Sequence, residues 1–175
     1  AIEPDIARVT VARGDQKAEV FYNDLFNNPR NDVALRDGDA IIVKSDSRTF
    51  TVLGATGSQD RVTFESQKIT AIEALAQVGG LSSTQADPTG VFVFRNEPEE
   101  ITEQLVGQDV TGVQRVVYVL DLTRPNGMFM ARDFAIRDGD TVYVTEAPFV
   151  QFNKAIAAAT GSLSAVESVS STTGL

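Results

Sequence analysis

Any chemistry in this chain must be done without histidine or cysteine, since the 175 residues contain neither. That removes Ser-His-Asp and Cys-His nucleophile systems, the usual zinc ligand sets, disulfides and iron–sulfur ligation. Carboxylate, lysine, tyrosine and hydroxyl groups remain. The most pointed carboxylates are paired in Arg36-Asp37-Gly38-Asp39 and Arg137-Asp138-Gly139-Asp140. Such pairs suit a cation, sugar hydroxyls or a two-carboxylate glycosidase. They suit a turn better, because Asp-Gly tolerates positive φ and the flanking aspartates can bond their own backbone. The run Glu97, Glu99, Glu100, Glu103 lacks the alternating oxygen ligands and turn glycine of an EF-hand, and reads as a solvated loop. Gly54-Ala55-Thr56-Gly57-Ser58 is glycine-bearing but has no following lysine, so it is no phosphate loop. Arg13-Gly14-Asp15 spells an adhesion tripeptide whose composition is that of any hairpin turn. The expectation is a protein with no catalytic residue, no metal and no cofactor.

The elements that would position these groups are mostly strands. Alternating stretches rich in valine, threonine and aromatics cover Arg8–Arg13, Lys17–Tyr22, Ala40–Lys44, Arg48–Leu53, Arg61–Glu65, Val91–Arg95, Arg115–Asp121 and Thr141–Thr145. The first two read as a hairpin across Gly14-Asp15. One helix stands among them: Thr70-Ala71-Ile72-Glu73 is a capping box, Ile72, Leu75, Ala76 and Val78 are its apolar face, and Gly79-Gly80 ends it. Residues 96–112, with Pro98 and acidic side chains, read as a long exposed loop. The fold class is α+β.

An internal repeat organises the chain. Asp32-Val33-Ala34-Leu35-Arg36-Asp37-Gly38-Asp39 returns as Asp133-Phe134-Ala135-Ile136-Arg137-Asp138-Gly139-Asp140, with six of eight positions identical. Upstream, Val11-Ala12-Arg13 answers Val93-Phe94-Arg95, and Val20 with Asp24-Leu25 answers Val117 with Asp121-Leu122. Two homologous β-rich modules result, the first represented only by its second half.

Charge limits the partners. With 15 basic and 24 acidic residues the net charge is −9, and nucleic acid is not expected as a partner. Thr51-Val52-Leu53-Gly54-Ala55, Ile69 through Leu81, Ala86-Asp87 and Val91 through Arg95 together resemble the SLBB module, a β-grasp-like domain. Val119-Leu120-Asp121-Leu122 and Phe134 through Val144 match how that module ends in outer-membrane polysaccharide export proteins of the Wza type. The turn after Gly54 departs from the family, carrying Gly57-Ser58-Gln59-Asp60 where Pro-Gly is usual. The resemblance implies three parts: residues 1–45 as the second half of a first module, 46–147 as a complete module, and 148–175 as a C-terminal amphipathic helix. Ala1 in place of methionine suggests a processed or excerpted chain.

After Pro148 only Lys154 and Glu167 are charged, and Phe149, Phe152, Ile156, Ala159, Leu163 and Val166 recur at three- and four-residue steps. About 21 helical residues would reach roughly 31 Å, near the hydrocarbon thickness of a bilayer. A ring of such helices could turn apolar faces to lipid and polar faces to a lumen. The resemblance implies that ring, an octameric pore in the outer membrane with periplasmic modules. It would pass capsular or secreted polysaccharide supplied by an inner-membrane co-polymerase, without catalysis. A helix docked on its own domain, or a disordered Ser/Thr-rich tail, is the plainer reading of the segment. The alternative function is a soluble periplasmic glycan- or ligand-binding β-grasp module.

Overall fold

A computed structural model describes residues 2–146 and the backbone of 164–166. Among these, residues up to Arg48 with Thr63–Ile69 form one compact unit, and Thr49–Val62 with Thr70 onward form another.

In the first unit the Gly14-Asp15 turn, with Gly14 at φ 55°, joins strands β1 (Ala7–Arg13) and β2 (Gln16–Phe21) as an antiparallel hairpin. Strand β3 (Ala40–Ser45) pairs antiparallel with the other side of β1, giving the order β2-β1-β3. Sequence alternation carries the second strand through Tyr22, but a short helix α1 (Tyr22–Asn27) begins there instead. Ala7 and Val9 are buried, while all six residues of β3 are exposed, Ile41 and Val43 by 53% and 50%. At the end of β3 a buried Asp46 accepts the Arg48 guanidinium at 2.7–2.8 Å. Arg48 lies over the Phe64 ring at 4.4 Å. Burial opposes ionisation of Asp46, but the hydrogen bonds and charge of Arg48 outweigh it and hold its pKa low.

The remaining elements, nearly all in the second unit, are β4 (Thr49–Gly54), β5 (Asp60–Thr63), β6 (Ile69–Thr70), helix α2 (Ala71–Gln77), β7 (Val91–Glu97), helix α3 (Glu99–Val106), β8 (Gln114–Leu120), helix α4 (Pro125–Asp133), β9 (Ala135–Ile136), β10 (Thr141–Val144) and β11 (Ser164–Val166). The sheet order is β11-β8-β7-β10-β4-β5. It is mixed: β10 runs parallel to β4 and antiparallel to β7, β7 is antiparallel to β8, and β11 is parallel to β8. Val52, Val91, Val93 and Val142 are fully buried. Helix α2 packs against α4 and buries Ala71, Ala74 and Leu75. Its capping box is present, with Glu73 accepting the Thr70 N–H at 2.8 Å and Thr70 Oγ1 accepting the Glu73 N–H. This is the α+β, β-grasp-like arrangement that the sequence implies.

Two segments differ from expectation. The stretch 96–112 is no loop throughout, because β7 continues to Glu97 and α3 follows. Pro98 is a donor-free helix start, Glu99 and Glu100 sit favourably in the first turn, and Gly107 closes it at φ 67°. Between Asp121 and Asp133 lies α4, started by Pro125 and fitted closely at Gly127, where a Cβ would come 1.7 Å from the Asp121 carbonyl oxygen.

Candidate functional site: an arginine–aspartate buckle present twice

Strand alternation sends Val91, Val93, Arg95 and Glu97 of β7 to one side of the sheet, so two charged residues enter a face that is otherwise apolar. Each is matched. The Arg95 guanidinium donates to both oxygens of Asp140, at 2.9 and 2.6 Å, and to the Ala135 carbonyl at 2.8 Å. Asp140 also accepts the Arg137 backbone N–H at 2.8 Å, closing the Arg-Asp-Gly-Asp turn on itself. Glu97, fully buried, accepts from Arg137 at 2.8 Å, from the Tyr118 hydroxyl at 2.7 Å and from Arg95 at 3.5 Å. The Phe134 ring lies 4.9 Å from the guanidinium carbon of Arg95.

The electrostatics follow from this packing. Burial would lower the Arg95 pKa, but Asp140 and Glu97 outweigh it and raise it, so the cation persists. Burial, and then the hydrogen bond and charge of Glu97, push the Tyr118 phenol up to about 12. Glu97 belongs to the run that reads as a solvated loop, and here the structure overturns that reading. Three donors converge on it inside the sheet face and offset part of the cost of burying a carboxylate.

The first unit holds the same device. Arg13 donates to both oxygens of Asp39 at 2.7 and 2.6 Å and to the Ala34 carbonyl at 3.1 Å, and Asp39 accepts the Arg36 backbone N–H at 2.8 Å. Residue for residue this is Arg95, Asp140, Ala135 and Arg137. The arginine hydrogen bonds and the Arg36 N–H lower Asp39 to about 2. Strand pairing corrects one correspondence drawn from sequence. Val9 faces Val20 while Val91 faces Leu120, so Val20 answers Leu120, not Val117.

Chemically the buckles are closed. Asp39 and Asp140 are saturated by arginine, and Asp138 accepts the Thr49 backbone N–H at 2.8 Å. Among the described residues no group of three or more carboxylates is gathered for a metal ion. Both Arg-Asp-Gly-Asp copies are turns, with Gly38 at φ 88° and Gly139 at φ 80°. Of the six residues expected to line a membrane helix, Phe149, Phe152, Ile156, Ala159 and Leu163 lie outside the described residues. Val166 lies in strand β11, aligned with Tyr118 of β8, so at that position the chain is extended and not helical. Ser164 and Val166 favour helix weakly, and the edge of β8 offers hydrogen bonds in exchange. No helix among the described residues is long and apolar enough to cross a membrane.

The SLBB domain family profile matches residues 48–144. The chain belongs to the SLBB domain family. The SLBB match spans β4 through β10 and thus includes the second buckle and α2. Similarity to curated proteins extends further. The chain is 35% identical over 153 residues to the capsule polysaccharide export protein BexD of Haemophilus influenzae, covering 83% of this chain and 39% of that protein. It is 29% identical over 153 residues to the capsule polysaccharide export outer membrane protein CtrA of Neisseria meningitidis serogroup A, covering 83% and 40%. It is 28% identical over 155 residues to the Vi polysaccharide export protein VexA/TviF of Salmonella typhi, covering 88% and 42%. The chain therefore spans about two-fifths of the length of these relatives.

Proposed function

We infer that this chain is the SLBB-bearing part of an outer-membrane exporter of capsular or secreted polysaccharide, and that it works by geometry and not by catalysis. The observation that carries the reading is the similarity over 83–88% of the chain to three proteins named for polysaccharide export. The closed buckles support it, since the carboxylates with the most enzyme-like sequence context are committed to holding turns. In this reading the modules are periplasmic and several copies form a ring around the polysaccharide. Residues 1–45 are the second half of a first SLBB-like module, 46–147 a complete one, and 148–175 a C-terminal segment in which a helix ahead of β11 carries Phe149, Phe152, Ile156, Ala159 and Leu163 toward lipid. An inner-membrane co-polymerase feeds the lumen. The equal strand order, pairing and buckle of β2-β1-β3 and β8-β7-β10 support the half-module assignment.

The deciding experiment removes this segment from the exporter in its own host and quantifies surface polysaccharide. Loss of surface polymer with accumulation inside the envelope is the expected result; undiminished surface polymer overturns the reading. Negative-stain images of the full-length protein in detergent test the ring, and monodisperse monomers would favour the soluble module instead.

A further inference from the structure

On the sheet face opposite the buckle, β7, β8 and β10 enclose a shallow pocket of about 280 Å³ lined by Phe94, Asn96, Arg115, Gly139 and Thr141 together with Arg95 and Val116. Register fixes which side chains share it. Asn96 lies opposite Arg115 and Phe94 opposite Thr141, and directly opposed residues project to one face. Arg95 and Val116 alternate to the other face, where Asp140 already holds the Arg95 guanidinium. The free cation of the pocket is Arg115. Among the described residues, the Arg115 guanidinium, the Asn96 carboxamide and the Thr141 hydroxyl have no partner and no carboxylate lines the pocket, although the chain as a whole carries −9. Gly139 leaves the space open: a Cβ there would meet nothing within 4 Å.

We propose that this pocket is a weak binding site for one carboxylated sugar residue of an anionic polysaccharide, a proposal that rests on the export reading. Four groups divide the recognition. The Arg115 fork takes the carboxylate in two parallel hydrogen bonds. The Asn96 carboxamide donates and accepts, as adjacent sugar hydroxyls require, and Thr141 offers a further hydroxyl. The half-buried Phe94 ring gives the apolar face of the pyranose a flat surface. The volume lies just under the ~300–1,000 Å³ of drug-sized sites, which suits a single ring and not an oligosaccharide. One guanidinium matches the single charge of a carboxylate. Weakness is part of the function: a conduit must bind its cargo well enough to admit it and loosely enough to let it leave. Dissociation constants on the order of 1 mM fit that requirement.

The test titrates the ¹⁵N-labelled chain with a hyaluronan tetrasaccharide, whose glucuronates carry carboxylates, and with the same tetrasaccharide after its carboxyls are reduced to alcohols. The expected result is saturable amide shifts confined to Phe94, Asn96, Arg115, Val116, Gly139 and Thr141, and little response to the reduced sugar. Arg115→Ala weakens binding about tenfold or more. Arg115→Lys falls between, keeping the charge but losing the fork. Asn96→Ala weakens binding while keeping the preference for the carboxylated form. Arg115 and Asn96 are exposed, so both variants should keep the native spectrum elsewhere. Shifts scattered over the surface, equal binding of the reduced sugar, or full affinity in Arg115→Ala each overturn the proposal. Failure here leaves the segment-deletion result standing. Failure of that deletion with these shifts intact would leave a saccharide-binding module that does not export.

Discussion

Asp39 and Asp140 hold equivalent places in two copies of one hydrogen-bonded turn, yet their surroundings differ. The Arg95 side chain is 6% exposed and shares Glu97, Tyr118 and Phe134, whereas the Arg13 side chain is 36% exposed. Removing one partner of a buried ion pair leaves the other charge unmatched. Asp140→Asn should therefore cost about 3 kcal/mol in urea unfolding, and Asp39→Asn distinctly less; equal losses would contradict the ranking. Titration gives a second check. The depressed Asp39 pKa contributes stability present above the unfolded carboxylate value and lost as pH falls through about 2, so carboxyl ¹³C shifts should show Asp39 still ionised at pH 3. Tyr118 runs the other way. Its raised pKa contributes stability that is complete below about pH 10, the ordinary tyrosine value, and is lost as pH rises through about 12. Tyr118→Phe should remove that late phenolate absorbance step.

At the scale of elements, the parallel junction of β4 and β10 depends on a backbone that only glycine supplies. Gly54 sits at φ 91°, and a Cβ on it would stand 1.9 Å from the Val144 carbonyl oxygen. Gly80, at φ 77°, has nothing within 4 Å of its virtual Cβ. Gly80→Ala should cost only the left-handed strain, about 1–2 kcal/mol. Gly54→Ala adds a backbone clash that must part the strands, and should cost more than about 3 kcal/mol. Thermal unfolding monitored by circular dichroism compares the two, and similar losses would mean that the β4–β10 contact yields more easily than its geometry implies. Helix α3 shows why local reading has limits: Glu99, Glu100 and Glu103 look like solvated loop, yet Pro98 before them and Gly107 after them are helix boundary residues.

At the scale of the whole molecule, an arrangement of modules followed by a membrane-directed segment predicts separable losses. Deleting residues 147–175 should abolish partition of the chain into a detergent phase and, because β11 leaves the edge of β8, lower the urea unfolding free energy of the SLBB unit by only about 1 kcal/mol. A chain that partitions equally well without them would remove the proposed lipid face. The sequence by itself determined much of this protein. The repeated Asp-x-Ala-x-Arg-Asp-Gly-Asp words, the alternating strands and the α2 capping box depend on neighbours a few residues away, and each was legible there. Arg13 and Arg95 also aligned in sequence, but their task did not show, because Asp39 lies 26 residues from Arg13 and Asp140 lies 45 from Arg95. Only the tertiary structure decided that Glu97 is buried, that Val20 answers Leu120, and that Phe94, Asn96, Arg115 and Thr141 share one face. Those are matters of strand register and long-range charge pairing, which arise only when distant segments are brought side by side.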